Sequence, residues 1–228
     1  MAGSARHDWR IEEREYERHR ARRGRRHAFE SVDPSTTALV VVDLVDFFFA
    51  TGNPYLHGIV PQVNTLAGGV REAGGVVAWV VPGETEPTAV QRELYGAEAA
   101  ETYARSGGSG VVRDRVWHEL DIDDSDLFAE KTAASAFFPG ASDLPARLGE
   151  RGIETVVVAG TVTNVCVEAT VRDASTLGHR VILVADACAA VRDRDHNATL
   201  HTVYRTFGDV RTTAEVLGLL RGQVAPDD

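Results

Sequence analysis

Thr155-Val156-Val157-Val158-Ala159-Gly160-Thr161-Val162-Thr163-Asn164-Val165-Cys166 holds a strand, a tight turn and the opening of a helix. Thr155 to Ala159 is an uninterrupted apolar and β-branched run, the pattern of a strand buried on both faces rather than on one. Gly160 to Asn164 reads as the turn. The helix it feeds runs from about Val165 to Leu177 and is closed by Gly178, after which Val181 to Ala185 form another buried strand. A strand, a crossover helix and a second strand at this spacing make a βαβ unit, and βαβ units build parallel sheets.

The same rhythm extends in both directions. Upstream, Thr37 to Val42 form an apolar strand ending at Asp43. Residues 61–75 show helical spacing through Val63, Leu66, Ala67 and Val70 before Gly74-Gly75, and Val76 to Val81 are a strand stopped by Pro82-Gly83. A short strand at Leu127 to Glu130 leads to Lys131, followed by a helix over 141–152. Downstream come a helix over 192–206, a strand at Val210 to Thr212 and a helix from Ala214 to Leu220. Residues 84–125 are polar and carry Gly107-Gly108-Ser109-Gly110, which reads as a variable region with one helix and a loop. The expected fold class is α/β: a three-layer α-β-α arrangement around a mostly parallel, six-stranded, Rossmann-like sheet. Residues 35–222 form this domain, and residues 1–34 an N-terminal helical arm.

Composition narrows the function classes. A chain of 228 residues, 43% of them apolar, can bury one substantial core. No long uncharged apolar run suggests a membrane span and no basic tip with an apolar stretch suggests a secretory signal, so a cytoplasmic location is expected. Cys166 and Cys188 are too few for a disulfide framework. The net charge of -10 disfavours nucleic-acid binding. The arm departs from this balance, with nine Arg against six acids in residues 1–30, but its interleaved Glu12, Glu13, Glu15 and Glu17 favour a solvated helix laced by ion pairs, suited to docking on a partner subunit. Of the 24 basic residues only Lys131 is a lysine. A chain so biased toward Arg keeps a lone Lys where a compact, titratable ammonium is needed.

In an open parallel sheet, ligands bind beyond the carboxyl ends of the strands, near the point where strand order reverses. Three residues of reactive type fall at such ends: Asp43, Lys131 and Cys166. Cys166 sits in the first turn of its helix, where free N–H groups and the macrodipole favour thiolate; packing as a small hydrophobe is the alternative. Cys188, among small apolar neighbours and away from a helix start, reads as structural. Asp43 either caps the next element or works in a pocket walled by aromatic residues. No Gly-rich phosphate cradle follows a strand.

The motifs resemble those of the isochorismatase-like cysteine hydrolases, in particular the branch that cleaves ureidoacrylate and N-carbamoyl amino acids. Ala38 to Phe48 is similar to the family's strand and Asp motif, and Glu130-Lys131-Thr132-Ala133-Ala134-Ser135-Ala136-Phe137 to its Lys-x-x-x-Ser-x-Phe element. Gly160 to Ala174 resembles its nucleophile turn and helix. The resemblance implies Cys166 as nucleophile, Asp43 as general base, Lys131 as charge stabiliser, and an oxyanion hole from the backbone N–H groups of Thr163 and Cys166. It also implies a cis peptide at Val162-Thr163 and a homo-oligomer, a dimer or tetramer. Phe48, Phe137 and Glu84 are candidate pocket residues. Where nicotinamidases of the family hold a metal, this chain has Val81 to Pro87 without a histidine, so no metal and no cofactor are expected. The implied reaction is cleavage of a C–N bond in a small amide, carbamoyl, ureido or lactam substrate through a thioester. Non-covalent hydrolysis of a vinyl ether and a catalytically silent binding or scaffold protein are the alternatives, the latter because Val45-Asp46 stands where the family commonly has Gln-Asn.

Overall fold

The run Thr37–Val42 forms strand β1, each residue of which is buried. It is the centre of the molecule in a computed structural model that describes residues 5–223. The arm precedes it as helix α1 (Glu13–Arg23), and the one-turn α2 (Asp46–Phe49) and the long α3 (Pro54–Glu72) follow it. Next come β2 (Val76–Pro82), α4 (Ala89–Tyr95), α5 (Ala97–Ala104), β3 (Leu127–Lys131), α6 (Leu144–Gly149) and β4 (Thr155–Thr161). The chain ends in α7 (Glu168–Thr176), β5 (Arg180–Ala189), α8 (Asp193–Thr202), β6 (Asp209–Arg211) and α9 (Thr213–Leu220).

All strand pairs are parallel and the order is β3-β2-β1-β4-β5-β6, so the direction of winding reverses between β1 and β4. Alternate residues feed two cores. Val40, Val42, Val80, Val156, Val158 and Leu183 pack against α6, α7 and α8 through Leu148, Val171 and Leu200. Leu39, Val41, Trp79, Val81, Val157 and Ile182 face α3 and α9 through Leu66, Val70, Val216 and Leu219. Burying both faces is what leaves the strands without polar alternation. Among the described residues, no helix is long and apolar enough to cross a membrane.

Two elements differ from their sequence signals. Helix α3 begins at Pro54, capped by Asn53, whose side chain accepts from the Tyr55 N–H at 3.1 Å. Pro61 therefore lies inside the helix, although a proline is an ordinary sign of a helix start. The 84–125 region contains two helices, α4 and α5, joined at Gly96, rather than one.

The arm is not a fully solvated helix. Ile11 and Tyr16 join the core on the α7–α8 side, and Tyr16 meets Tyr204 edge-on at 5.2 Å. Beyond α1, the Arg26 carbonyl accepts from the Tyr204 hydroxyl and His27 contacts Asp209 at 3.0 Å. The arm thus packs on the body of its own chain.

Candidate active site

The winding reversal puts the end of β1 beside the end of β4, and Asp43 stands there. Its φ of 59 is the one left-handed value among the described non-glycine residues, a conformation that Asp tolerates better than most side chains. The backbone stays tied to the sheet because the Asp43 N–H donates to the Val80 carbonyl at 2.8 Å. The carboxylate is fully buried, and among the described residues no backbone N–H satisfies either oxygen. It depends on side chains for compensation.

Lys131, the last residue of β3, supplies it. Its Nζ lies 2.9 Å from Asp43 Oδ2 and donates to the Ala133 carbonyl at 3.2 Å. The loop after Lys131 is fixed by Phe137 N–H donating to Ser135 Oγ at 3.0 Å, and by Ala136 N–H donating to Thr170 Oγ1 on α7 at 3.1 Å. These bonds set the lysine relative to the helix that follows the cysteine.

Close approach of β1 and β4 requires Gly160. It has φ +117, and a Cβ there would lie 2.1 Å from the Val42 carbonyl oxygen. After β4 the chain passes into a single wide turn over Thr163–Val167, in which the Val167 N–H reaches back five residues to the Val162 carbonyl at 3.3 Å. Cys166 lies in this turn, half-buried, with its thiol close enough to Asp43 and Lys131 for both charges to act on it. Sequence reasoning thus named three side chains that meet at one point.

Their charges are coupled. Burial pushes the Asp43 carboxyl above its usual range, and the Lys131 charge pulls against that shift. Burial also opposes the ammonium of Lys131, but Asp43 and Cys166 together more than restore it, so it is held above the ordinary lysine value. Burial first, and the Asp43 charge second, push the Cys166 thiol up to about 12 against the pull of Lys131. The thiolate expected from a helix start is therefore not the resting form. Desolvation and a facing carboxylate outweigh the helix terminus, and the resident ion pair is Asp43 with Lys131.

Other expected positions need correction. The cis peptide is Thr161-Val162, one residue earlier than expected, because β4 continues past Ala159 and pairs Thr161 with Ala189 before the chain turns. Phe137 is no pocket residue: it is 1% exposed, in the core, edge-on to His179. Phe48 is half-buried against the α3-side core, edge-on to Phe47 at 5.1 Å, and Glu84 is on the exposed loop after β2. Cys188 is fully buried, its thiol pushed up by burial and pointed at the Val158 carbonyl. Sequence reasoning missed His196, whose Nδ1 is 3.0 Å from Thr163 Oγ1 in the cysteine turn. Nothing local to residues 192–206 signals that contact.

A family profile described as Isochorismatase domain matches residues 37–215, a span from β1 into α9 that includes all three clustered side chains. The chain belongs to the isochorismatase family. Isochorismatase-family relatives include the uncharacterized protein YecD of Escherichia coli O157:H7, 30% identical over 198 residues, covering 83% of this chain and 98% of YecD. The ureidoacrylate amidohydrolase RutB of Caulobacter vibrioides is 30% identical over 225 residues, covering 86% of this chain and 95% of RutB. Among solved structures, a cysteine hydrolase from Pseudomonas syringae pv. phaseolicola superposes with a TM-score of 0.73 at 31% identity, over 86% of this chain and 97% of that one. The isochorismatase-family chain is thus a hydrolase of α/β fold.

Proposed function

We propose that this isochorismatase-family hydrolase is a cysteine amidohydrolase that cleaves a C–N bond of a small amide, carbamoyl, ureido or lactam substrate. The observation that carries the reading is the buried ion pair of Asp43 and Lys131, 2.9 Å apart, with both charges acting on the Cys166 thiol. The similarity to a ureidoacrylate amidohydrolase supports the same bond class.

With the thiol pushed up to about 12, free thiolate at pH 7 is on the order of one molecule in 10⁵. The nucleophile is then made during attack, not before it: Asp43 takes the thiol proton as the sulfur bonds to the carbonyl carbon. The carbonyl oxygen becomes an oxyanion, and the backbone N–H groups of Thr163 and Cys166 are the donors assigned to it. Asp43 passes its proton to the leaving nitrogen as the C–N bond breaks, leaving a thioester on Cys166. Water, giving a proton to the same carboxylate, attacks the thioester; acid leaves, and the proton returns to sulfur. Lys131 keeps a positive charge beside both anionic partners throughout. The substrate enters as a neutral carbonyl group, and the likeness to RutB makes ureido acids the first candidates.

An ammonia-release screen across small primary amides, carbamoyl amino acids and ureido acids, with mass detection of ring opening for lactams, finds the substrate, and intact mass under turnover finds the acyl adduct. Cys166→Ala should lower turnover by at least about 10³-fold and abolish the adduct. Full activity in that variant would sink the covalent reading and leave the vinyl ether hydrolase.

A further inference from the structure

We propose that the N-terminal strap, residues 5–10, is a positioning element of the reaction centre: His7 braces His196, and His196 holds Thr163 in the cysteine turn. The proposal rests on the amidohydrolase reading for its kinetic consequence, because Thr163 is assigned an oxyanion donor there.

The strap is built into the body rather than laid on it. The Ala5 N–H donates to the Pro54 carbonyl at 3.1 Å, and the strap passes so near α3 that a Cβ on Gly58 would lie 1.8 Å from the Ala5 oxygen. Asn197 grips it twice, accepting from the Arg10 N–H at 2.8 Å and donating to the Asp8 carbonyl at 2.9 Å. His7 enters between these anchors. Its ring stacks on Tyr55 at 3.7 Å and on His196 at 4.2 Å, and its side chain is 2% exposed. The Ala190 N–H donates to His7 Nε2 at 3.0 Å, so Nε2 carries no proton, and Nδ1 donates to Asp193 Oδ1 at 2.7 Å. One backbone amide therefore fixes both the tautomer and the neutral state of His7. Asp193, His196 and Asn197 are spaced i, i+3, i+4, so the strap occupies one face of α8.

From that face the contact continues inward. His196 is fully buried, and its Nδ1 meets Thr163 Oγ1, itself buried, at 3.0 Å. The His7 ring lies flat against His196, 4.2 Å away at an interplanar angle of 10°, and backs it in this position. A strap serving only to cover apolar surface would gain more from aliphatic side chains than from two neutral imidazoles, which are costly to bury unless their hydrogen bonds hold something. What they hold is the turn carrying Cys166.

The test uses the full chain with His7→Ala, Gly58→Ala, His196→Leu and His196→Asn, the last keeping a polar atom near the Nδ1 position. Hydrogen exchange of the amides in residues 161–167 should accelerate at least about tenfold in the first three and less in His196→Asn. Ammonia release should lose roughly tenfold to a hundredfold in kcat with KM within about threefold, since misplacing a donor by an ångström has that effect. Alkylation of Cys166 by a neutral haloacetamide should stay within about twofold of wild type, because Asp43 and Lys131 govern the sulfur. Unchanged exchange in His7→Ala overturns the proposal, and so does a fall in kcat matched by an equal fall in alkylation, which would place the damage across the whole centre. If the wild-type chain neither releases ammonia from any open-chain substrate nor opens any lactam while exchange still accelerates in the variants, the amidohydrolase reading fails and the strap's hold on the turn stands.

Discussion

Asp43 and Lys131 are each costly to bury alone, and the 2.9 Å contact between them makes the pair tenable. The same contact sets the pH at which a base would be available. Because burial raises the Asp43 carboxyl above 3.8 while Lys131 lowers it, the acid limb of kcat/KM should have its midpoint above the ordinary aspartate value. Replacing Lys131 with Met removes the lowering charge, so the remaining carboxyl should protonate at a pH higher by roughly 1–3 units. Activity against pH measures the first quantity, and the ¹³C shift of the Asp43 carboxyl measures both in an inactive variant. A ¹³C titration of Asp43 that stays in place in Lys131→Met would mean that the ammonium does not control the carboxylate. The sequence exposed this pair because a lone lysine in an arginine-rich chain and an aspartate ending an apolar strand are visible without coordinates. The protonated sulfur was not visible, since desolvation belongs to the assembled site.

The strands and the turn between β4 and the cysteine define the next level. Gly160 and Gly178 both have positive φ, but only Gly160 also lacks space, with the Val42 oxygen 2.1 Å from a built Cβ and nothing within 4 Å at Gly178. Gly178→Ala should therefore cost about 1 kcal/mol, the backbone penalty alone, as read by urea unfolding. Gly160→Ala should cost upwards of about 3 kcal/mol and separate the ends of β1 and β4. Equal costs would refute the close approach. The elements themselves were legible where both faces of a strand are buried, since β1, β2 and β4 then read as unbroken apolar runs. Legibility failed where a local signal had two meanings. Pro61 looks like the first residue of a helix and sits within α3, and the polar stretch after β2 hides α4 and α5 behind Gly96. It failed altogether for His7 and His196, which meet only because the folded arm carries one to the other.

Across the whole molecule, buried histidines make stability depend on pH in a direction opposite to that of net charge. Burial, with His7 second, lowers the His196 pKa from 6.5 to about 3, and burial is also the first cause of lowered values at His7, His19 and His179. A histidine depressed in the folded state is neutral there while its unfolded counterpart takes a proton below 6.5. The stability it contributes is complete above that pH and drains away as pH falls toward the folded value. For His196 the slope is about 1.4 kcal/mol per pH unit across the window from roughly 6 down to 3. Asp43 runs the other way, since a raised carboxyl favours the folded state on protonation. Falling pH also relieves the repulsion of a chain with net charge -10, a term spread over exposed groups and screened by salt. Between pH 6.5 and 5 the histidines should dominate, so urea unfolding in 0.15 M salt should show stability dropping by at least about 1 kcal/mol over that interval. His196→Gln should flatten most of the drop, because glutamine has no proton to gain. A wild-type profile flat from 6.5 to 5 would show His196 to be protonatable in place, and would contradict its burial against the His7 ring.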